Sequence, residues 1–274
     1  MLVWVVFLVG VSVLLYPTVS NYWNNLVASK TIQNYTAAVE QMSTQDNSAE
    51  FAMADAYNQS LTHRLNRFQM TTQETHLYDS ILDIGSGGVM GVLTIPKINV
   101  KLPIYHGTSA AVLQSGVGHL AGSSLPVGGS TTHAVLSGHR GLPSAELLSN
   151  IDKMVVGDKF QITVLDRTMV YQVYNISVVD PEDLRQLAII SGEDLVTLVT
   201  CTPYGVNTQR LLVQGARVYT SAATVDDNTA GAVTTAVWPT WLLGGVGVVG
   251  GFAYAAIRLI TRKKGRALCE DDFS

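Results

Sequence analysis

Cys201 closes one run of apolar and β-branched residues and Arg210 opens the next, within the stretch LVTLVTCTPYGVNTQRLLVQG at 195–215. Pro203, Gly205 and Asn207 fall between the runs, so the pattern reads strand, turn, strand. If the two strands are neighbours, the end of one and the start of the next share a sheet edge, which brings Cys201 and Arg210 together. A thiol held there can act as a nucleophile, with the guanidinium aimed at the oxyanion of a tetrahedral intermediate. The competing role for a lone strand cysteine is simple packing.

Thiol chemistry also needs a proton carrier. Of the six histidines, His139 ends the run HAVLSGH, flanked by Gly138 and Gly141, and so stands at a sheet mouth where a proton carrier must be. His133 lies an even number of residues earlier on the same strand face, as a supporting or a structural group. His106 and His119 lie in glycine-rich loops, and no Cys/His spacing points to a metal site. The glycine-rich GSGGVMG lacks the Gly-Lys-Ser/Thr of a phosphate loop, so neither metal nor cofactor is expected.

These residues need elements to carry them. From residue 92 onward the chain is a series of short β-rich runs separated by turn residues: VLTIPKINVKLPIY, HAVLSGH, KFQITVL, MVYQVYNISVV, LVTLVT and RLLVQGARVY. That texture argues for an all-β barrel or sandwich, with one helix expected near 143–151. Ahead of it, apolar residues recur at helical spacing over 24–42 and 50–68, with Asn47 and Glu50 as a capping box, followed by a polar, glycine-rich connection over 71–91.

The ends of the chain hold much of its apolar content. The chain has 274 residues, 47% hydrophobic and 14% charged, with a net charge of -4. Such a charge, without a basic patch between the ends, argues against a nucleic-acid partner. Residues 1–20 read as a signal anchor or a signal peptide, with Thr18 and Ser20 small enough for cleavage after Ser20, although no basic residue precedes the run. Residues 21–90 read as the juxtamembrane helices, 91–220 as the β-rich domain, 221–236 as a linker and 237–260 as a second membrane span. In the tail, 261–274, the cluster Arg262, Lys263, Lys264 and Arg266 places Cys269 on the cytoplasmic side, so Cys201 faces the cell exterior without a partner thiol.

TLVTCTPYG with Arg210, LSGHRG and IPKINVKLPIYHGT resemble the sortase family over residues 91–219. GVGHLAGSSLPVGG, SGHRGLP and TCTPYGVNTQRLLVQGAR resemble in particular its class C, the pilin-polymerising sortases, as do the helical extension and the second span. The resemblance implies a sortase-type closed β-barrel with short helices, flanked by two transmembrane segments. It implies Cys201 as the nucleophile on an LPxTG-type sorting signal, His139 as acid and base, and Arg210 as the holder of substrate and oxyanion. Thr200, beside the nucleophile, is a candidate further donor.

The partners implied are LPxTG-bearing pilin or surface-protein precursors, a pilin lysine or alternatively a cell-wall precursor amine, and membrane lipid. A non-catalytic surface module with the same fold is the alternative of a different kind. One departure stands out. Class C enzymes commonly carry a lid with an Asp-Pro-aromatic anchor, and no such tripeptide occurs over 20–91. Tyr78-Asp79 and Arg67-Phe68 are the nearest candidates for its place.

Overall fold

The runs that alternate apolar and polar residues bury one side each when paired, and here they pair all the way round. The computed structural model describes residues 2–219, apart from Leu65 and Ser86. The expected linker, second span and basic tail with Cys269 lie outside the described residues. The strands are β1 (Val89–Ile95), β2 (Val100–His106), β3 (Val117–His119), β4 (Thr132–Ser137), β5 (Lys159–Val164), β6 (Arg167–Val179), β7 (Asp194–Thr202) and β8 (Gln209–Arg217). They close into an eight-stranded barrel in the order β1-β2-β3-β4-β7-β8-β6-β5. A barrel, not a sandwich, is therefore the outcome.

Two of the ladders, β2 with β3 and β4 with β7, are parallel, and the others are antiparallel. The interior is filled by side chains such as Leu93, Ile104, Leu136, Phe160, Leu198 and Val213, each 0% exposed. Closure removes the open strand edges that would otherwise invite pairing with another chain.

The N-terminal region departs from expectation in three places. The apolar run and the first amphipathic segment form one helix, α1 (Leu2–Glu40), which continues through Pro17. Proline removes one backbone donor but the helix carries on around it. The second helix, α2 (Thr44–Leu61), is capped by Ser43 and Asp46 rather than by Asn47 and Glu50. Asn47 is buried within the helix, and Glu50 instead accepts the Leu82 N–H at 2.9 Å. The connection over 71–91 holds a further helix, α3 (Thr72–Ser80), opened by a Thr71/Glu74 capping box. Inside the barrel domain the helix expected near 143–151 is a loop with a single 3-10 turn, Ile151–Lys153, and the short helix is instead α4 (Ala110–Ser115).

Among the described residues one helix, α1, is long and apolar enough to cross a membrane, with a mean hydropathy of 2.1 in its apolar window and none of that window buried. Its later part docks on the barrel: the buried Tyr35 hydroxyl donates to Met90 O at 3.1 Å and accepts the Leu165 N–H at 2.8 Å. The helix is thereby fixed to the domain it precedes.

The barrel is bound to its helices by buried polar groups as well. His119 is fully enclosed, with Nε2 2.8 Å from Ser124 O and Nδ1 2.9 Å from the hydroxyl of Tyr78 on α3. A carbonyl can only accept, so Nε2 carries the proton and Nδ1 receives the tyrosine hydrogen. Burial pushes the His119 pKa down from 6.5 to about 4, against the hydrogen bond to Ser124. The unfolded chain therefore binds this proton first as pH falls. Stability is complete above about pH 6.5 and is lost toward pH 4, on the order of 3 kcal/mol for a shift of this size.

His133, also lowered by burial, acts in the same direction, whereas Asp194, raised by burial, acts in the opposite one. The difference between the Tm–pH curves of wild type and His119→Gln isolates the one group. The wild-type curve is expected to fall more steeply between pH 6.5 and 4, and parallel curves would show that His119 does not drive the loss.

Candidate active site

The turn after β7 returns the chain antiparallel into β8, and the register pairs Cys201 with Arg210 and Thr202 with Gln209. On both strands residues of alternate parity fill the barrel, Val196 and Leu198 on β7 and Leu211 and Val213 on β8. Cys201 and Arg210 have the other parity and stand on the outer face of the sheet, at its rim. Across β8, Arg210 pairs in turn with Val179 of β6. Cys201 is a free, half-buried thiol.

The imidazole arrives from the other side of β7. β4 runs parallel to β7 with Ser137 opposite Val199, and Gly138 N–H continues the ladder to Val199 O at 3.0 Å. Two residues past the last register pair on each strand are His139 and Cys201. Both are half-buried at the same level of the rim. Cys201 and Arg210, with His139 two residues beyond the end of β4, are thus brought to one rim by three neighbouring strands.

Several groups fix the His139 end. Thr200 Oγ1 donates to Gly138 O at 2.9 Å, so the hydroxyl of this buried threonine ties β7 to the backbone before His139. Gly138 packs so closely on Leu148 that a Cβ there would meet Leu148 Cδ1 at 2.6 Å. Arg140 bridges the two strand ends: it pairs with Asp152 at 2.7 Å, lies 3.4 Å from Thr202 Oγ1, and stands 5.7 Å from the Tyr204 ring. Gly141, at φ +78, leaves room for that ring. Neither Arg140 nor Tyr204 was expected from the sequence, although HRG set an arginine directly beside the histidine.

His133 is on the same outer face but is 1% exposed. Its Nδ1–H donates to Ala188 O at 2.7 Å and its Nε2 accepts from Thr197 Oγ1 at 2.7 Å. Burial, with the nearby Arg67 charge, lowers its pKa and favours the neutral ring. It holds the β6–β7 connection to the sheet, and Gln214 Nε2 does the same through Gln186 O at 3.0 Å.

Of the two segments considered for a lid, Tyr78 is 1% exposed on the inner side of α3 and is part of the fold. Arg67 and Phe68 lie on the outer face of the sheet instead. Arg67 Nη2 donates to Leu187 O and its guanidinium sits 4.6 Å over the Phe68 ring. Phe68 packs into the cluster that includes Val135, Val199 and Leu212. Val199 is the residue before Cys201 on that face of β7, so Phe68 and the strand that carries the thiol share one apolar cluster.

Arg210 Nη1 donates to Asn207 O at 3.2 Å and Gln209 O at 3.0 Å. These bonds hold the arm over its own turn with the rest of the guanidinium available. No group of three or more His, Cys, Asp or Glu side chains able to hold a metal occurs among the described residues. Chemically, the row offers a sulfur nucleophile, a proton carrier and a fixed positive charge for an oxyanion, the requirements of acyl transfer through a thioester.

A closed barrel with such a row on its outer rim is compatible with a barrel-type cysteine enzyme. Residues 93–218 match the family described as the sortase domain. Sortase C1 from Streptococcus agalactiae is 50% identical in sequence with a TM-score of 0.67, the match covering 70% of this chain and 100% of that one. Clostridium perfringens sortase C, solved with the C-terminal cell wall sorting motif, is 41% identical with a TM-score of 0.62, over 70% and 99% of the two chains. Sortase D of Bacillus subtilis is 31% identical over 136 residues, 48% of this chain and 66% of that protein. The chain spans less than two thirds of the length of the curated relatives it matches. The chain belongs to the sortase family, whose members are cysteine transpeptidases.

Proposed function

We propose that this chain is a class C sortase: a membrane-anchored, outward-facing transpeptidase that cleaves an LPxTG-type signal between Thr and Gly and joins the acyl group to a pilin lysine. The observation that carries the reading is the single outer-face row of Cys201, Arg210 and the His139 strand end. The sortase C neighbours support the class. α1 supplies one anchor, and the apolar stretch 237–260, outside the described residues, is read from its sequence alone as the second.

In this mechanism the Cys201 thiol first passes its proton to His139, and the sulfur then attacks the Thr carbonyl carbon, forming a C–S bond as the carbonyl opens to an oxyanion that Arg210 faces. Collapse breaks the C–N bond, and His139 gives a proton to the departing glycine amine. The thioester keeps its acyl-transfer reactivity without an external energy source. A lysine ε-amine then attacks the same carbon, His139 takes its proton, the C–S bond breaks, and an isopeptide bond remains.

Mass spectrometry of the full chain with an LPxTG peptide and a pilin-derived lysine peptide tests this reading. An isopeptide between the two, with release of the Gly-side fragment, is the expected product. Transfer only to a cell-wall precursor amine would replace pilin polymerisation by wall anchoring. Absence of any cleavage would favour the non-catalytic module.

A further inference from the structure

The loop that follows His139 is attached to the anchor helix. Asn24 Nδ2 on α1 donates to Ser144 O at 2.7 Å, and Asn21 Oδ1 accepts the Glu146 N–H at 2.9 Å. The two asparagines are three residues apart and share one helix face. Both bonds join a side chain of the anchor helix to the backbone of a loop more than a hundred residues away.

That loop in turn supports the catalytic histidine. Leu148 N–H donates to the His139 carbonyl at 3.2 Å, and Ser149 N–H donates to Glu146 O at 2.7 Å. Ser149 Oγ accepts the Gly141 N–H at 3.0 Å, while the Leu148 side chain fills the space over Gly138. Within the loop Leu147 has φ +41, a conformation that non-glycine residues hold only when their surroundings impose it. Asn21 holds the residue before it through the Glu146 N–H. The helix does not depend on the loop for its own place, because Tyr35 fastens it to the barrel about 21 Å further along its axis.

We propose that Asn21 and Asn24 are positioning residues for His139, so that the anchor helix sets the geometry of proton transfer. The proposal rests on the reading of His139 as the proton carrier. Its consequence is selective. A slack loop impairs the step that needs a well-placed proton and spares attack by sulfur on a carbonyl whose leaving group departs unprotonated.

The test is single-turnover acylation of Cys201 in the full chain, with two acyl donors. One is an LPxTG peptide with its natural amide, and the other is the same acyl group as an activated aryl ester. Asn21→Leu/Asn24→Leu is expected to slow acylation by the amide about tenfold or more, the order seen when a catalytic group loses its set position, and to leave the ester rate nearly unchanged. Asn21→Asp keeps an acceptor for Glu146 N–H and is expected to behave as wild type. Asn24→Asp sets a carboxylate against the Ser144 carbonyl and is expected to follow the double variant.

Equal losses on both donors, or no loss on the amide, would overturn the proposal. If wild type is acylated by neither donor, it is the function reading that fails. Amide exchange at Leu148 then decides the clamp: faster exchange in the double leucine variant upholds it, and unchanged exchange removes it.

Discussion

Cys201→Ala is expected to eliminate both the acyl-enzyme and the transfer product, a loss on the order of 10^4-fold or more, as when the nucleophile of an acyl-transfer site is removed. In the proposed mechanism the sulfur is the atom that carries the acyl group between donor and amine, and neither the His139 ring nor the Arg210 guanidinium could replace it there. Because the thiol is only half-buried at a strand end, removing one sulfur leaves the barrel core intact, and the melting temperature should be nearly unchanged. Intact-protein mass spectrometry after incubation with an LPxTG peptide reads the adduct directly. Turnover surviving in this variant would rule out the covalent route, and a wild type that binds the peptide without acylation would point to a binding module.

How much of this arrangement could be read beforehand depends on how local it is. Cys201 and Arg210 were legible together because a turn returns one strand directly onto the next, so sequence proximity becomes register. His139 meets that pair only through the parallel β4–β7 ladder, and strand periodicity carries no information about a partner so far along the chain. Its place in the site came from the resemblance to a family. The stereochemical reach of Arg140 to Asp152 and Thr202 was hidden for the same reason.

Local rules also competed with each other. Ser43/Asp46 and Asn47/Glu50 both have capping-box spacing, and tertiary needs chose between them: Glu50 is required by the Leu82 N–H and Asn47 is buried. Thr71/Glu74 obeys the same rule, but the polar composition around it obscured the nine-residue helix it opens. Thr200 illustrates a different limit. Its position beside Cys201 suggested a donor to the oxyanion, whereas its hydroxyl is bonded to Gly138 O. Adjacency in sequence puts neighbouring strand side chains on opposite faces, so the residue beside a nucleophile serves the fold behind it.

The charge at the rim makes the second large prediction. Arg210→Ala is expected to lower kcat/KM for an LPxTG peptide by about 10^2 to 10^3-fold, the effect of removing one preorganised oxyanion group. The guanidinium is held by the carbonyls of Asn207 in the turn and Gln209 at the start of β8, both local, so its loss should leave stability nearly intact while activity falls. Arg210→Lys keeps the charge but not the planar fork that can bond its turn and the oxyanion at once. It is expected to restore only part of the rate. Full activity in the lysine variant would mean that positive charge alone suffices, and full activity in the alanine variant would remove Arg210 from the chemistry and leave the oxyanion to backbone donors of the β7–β8 turn.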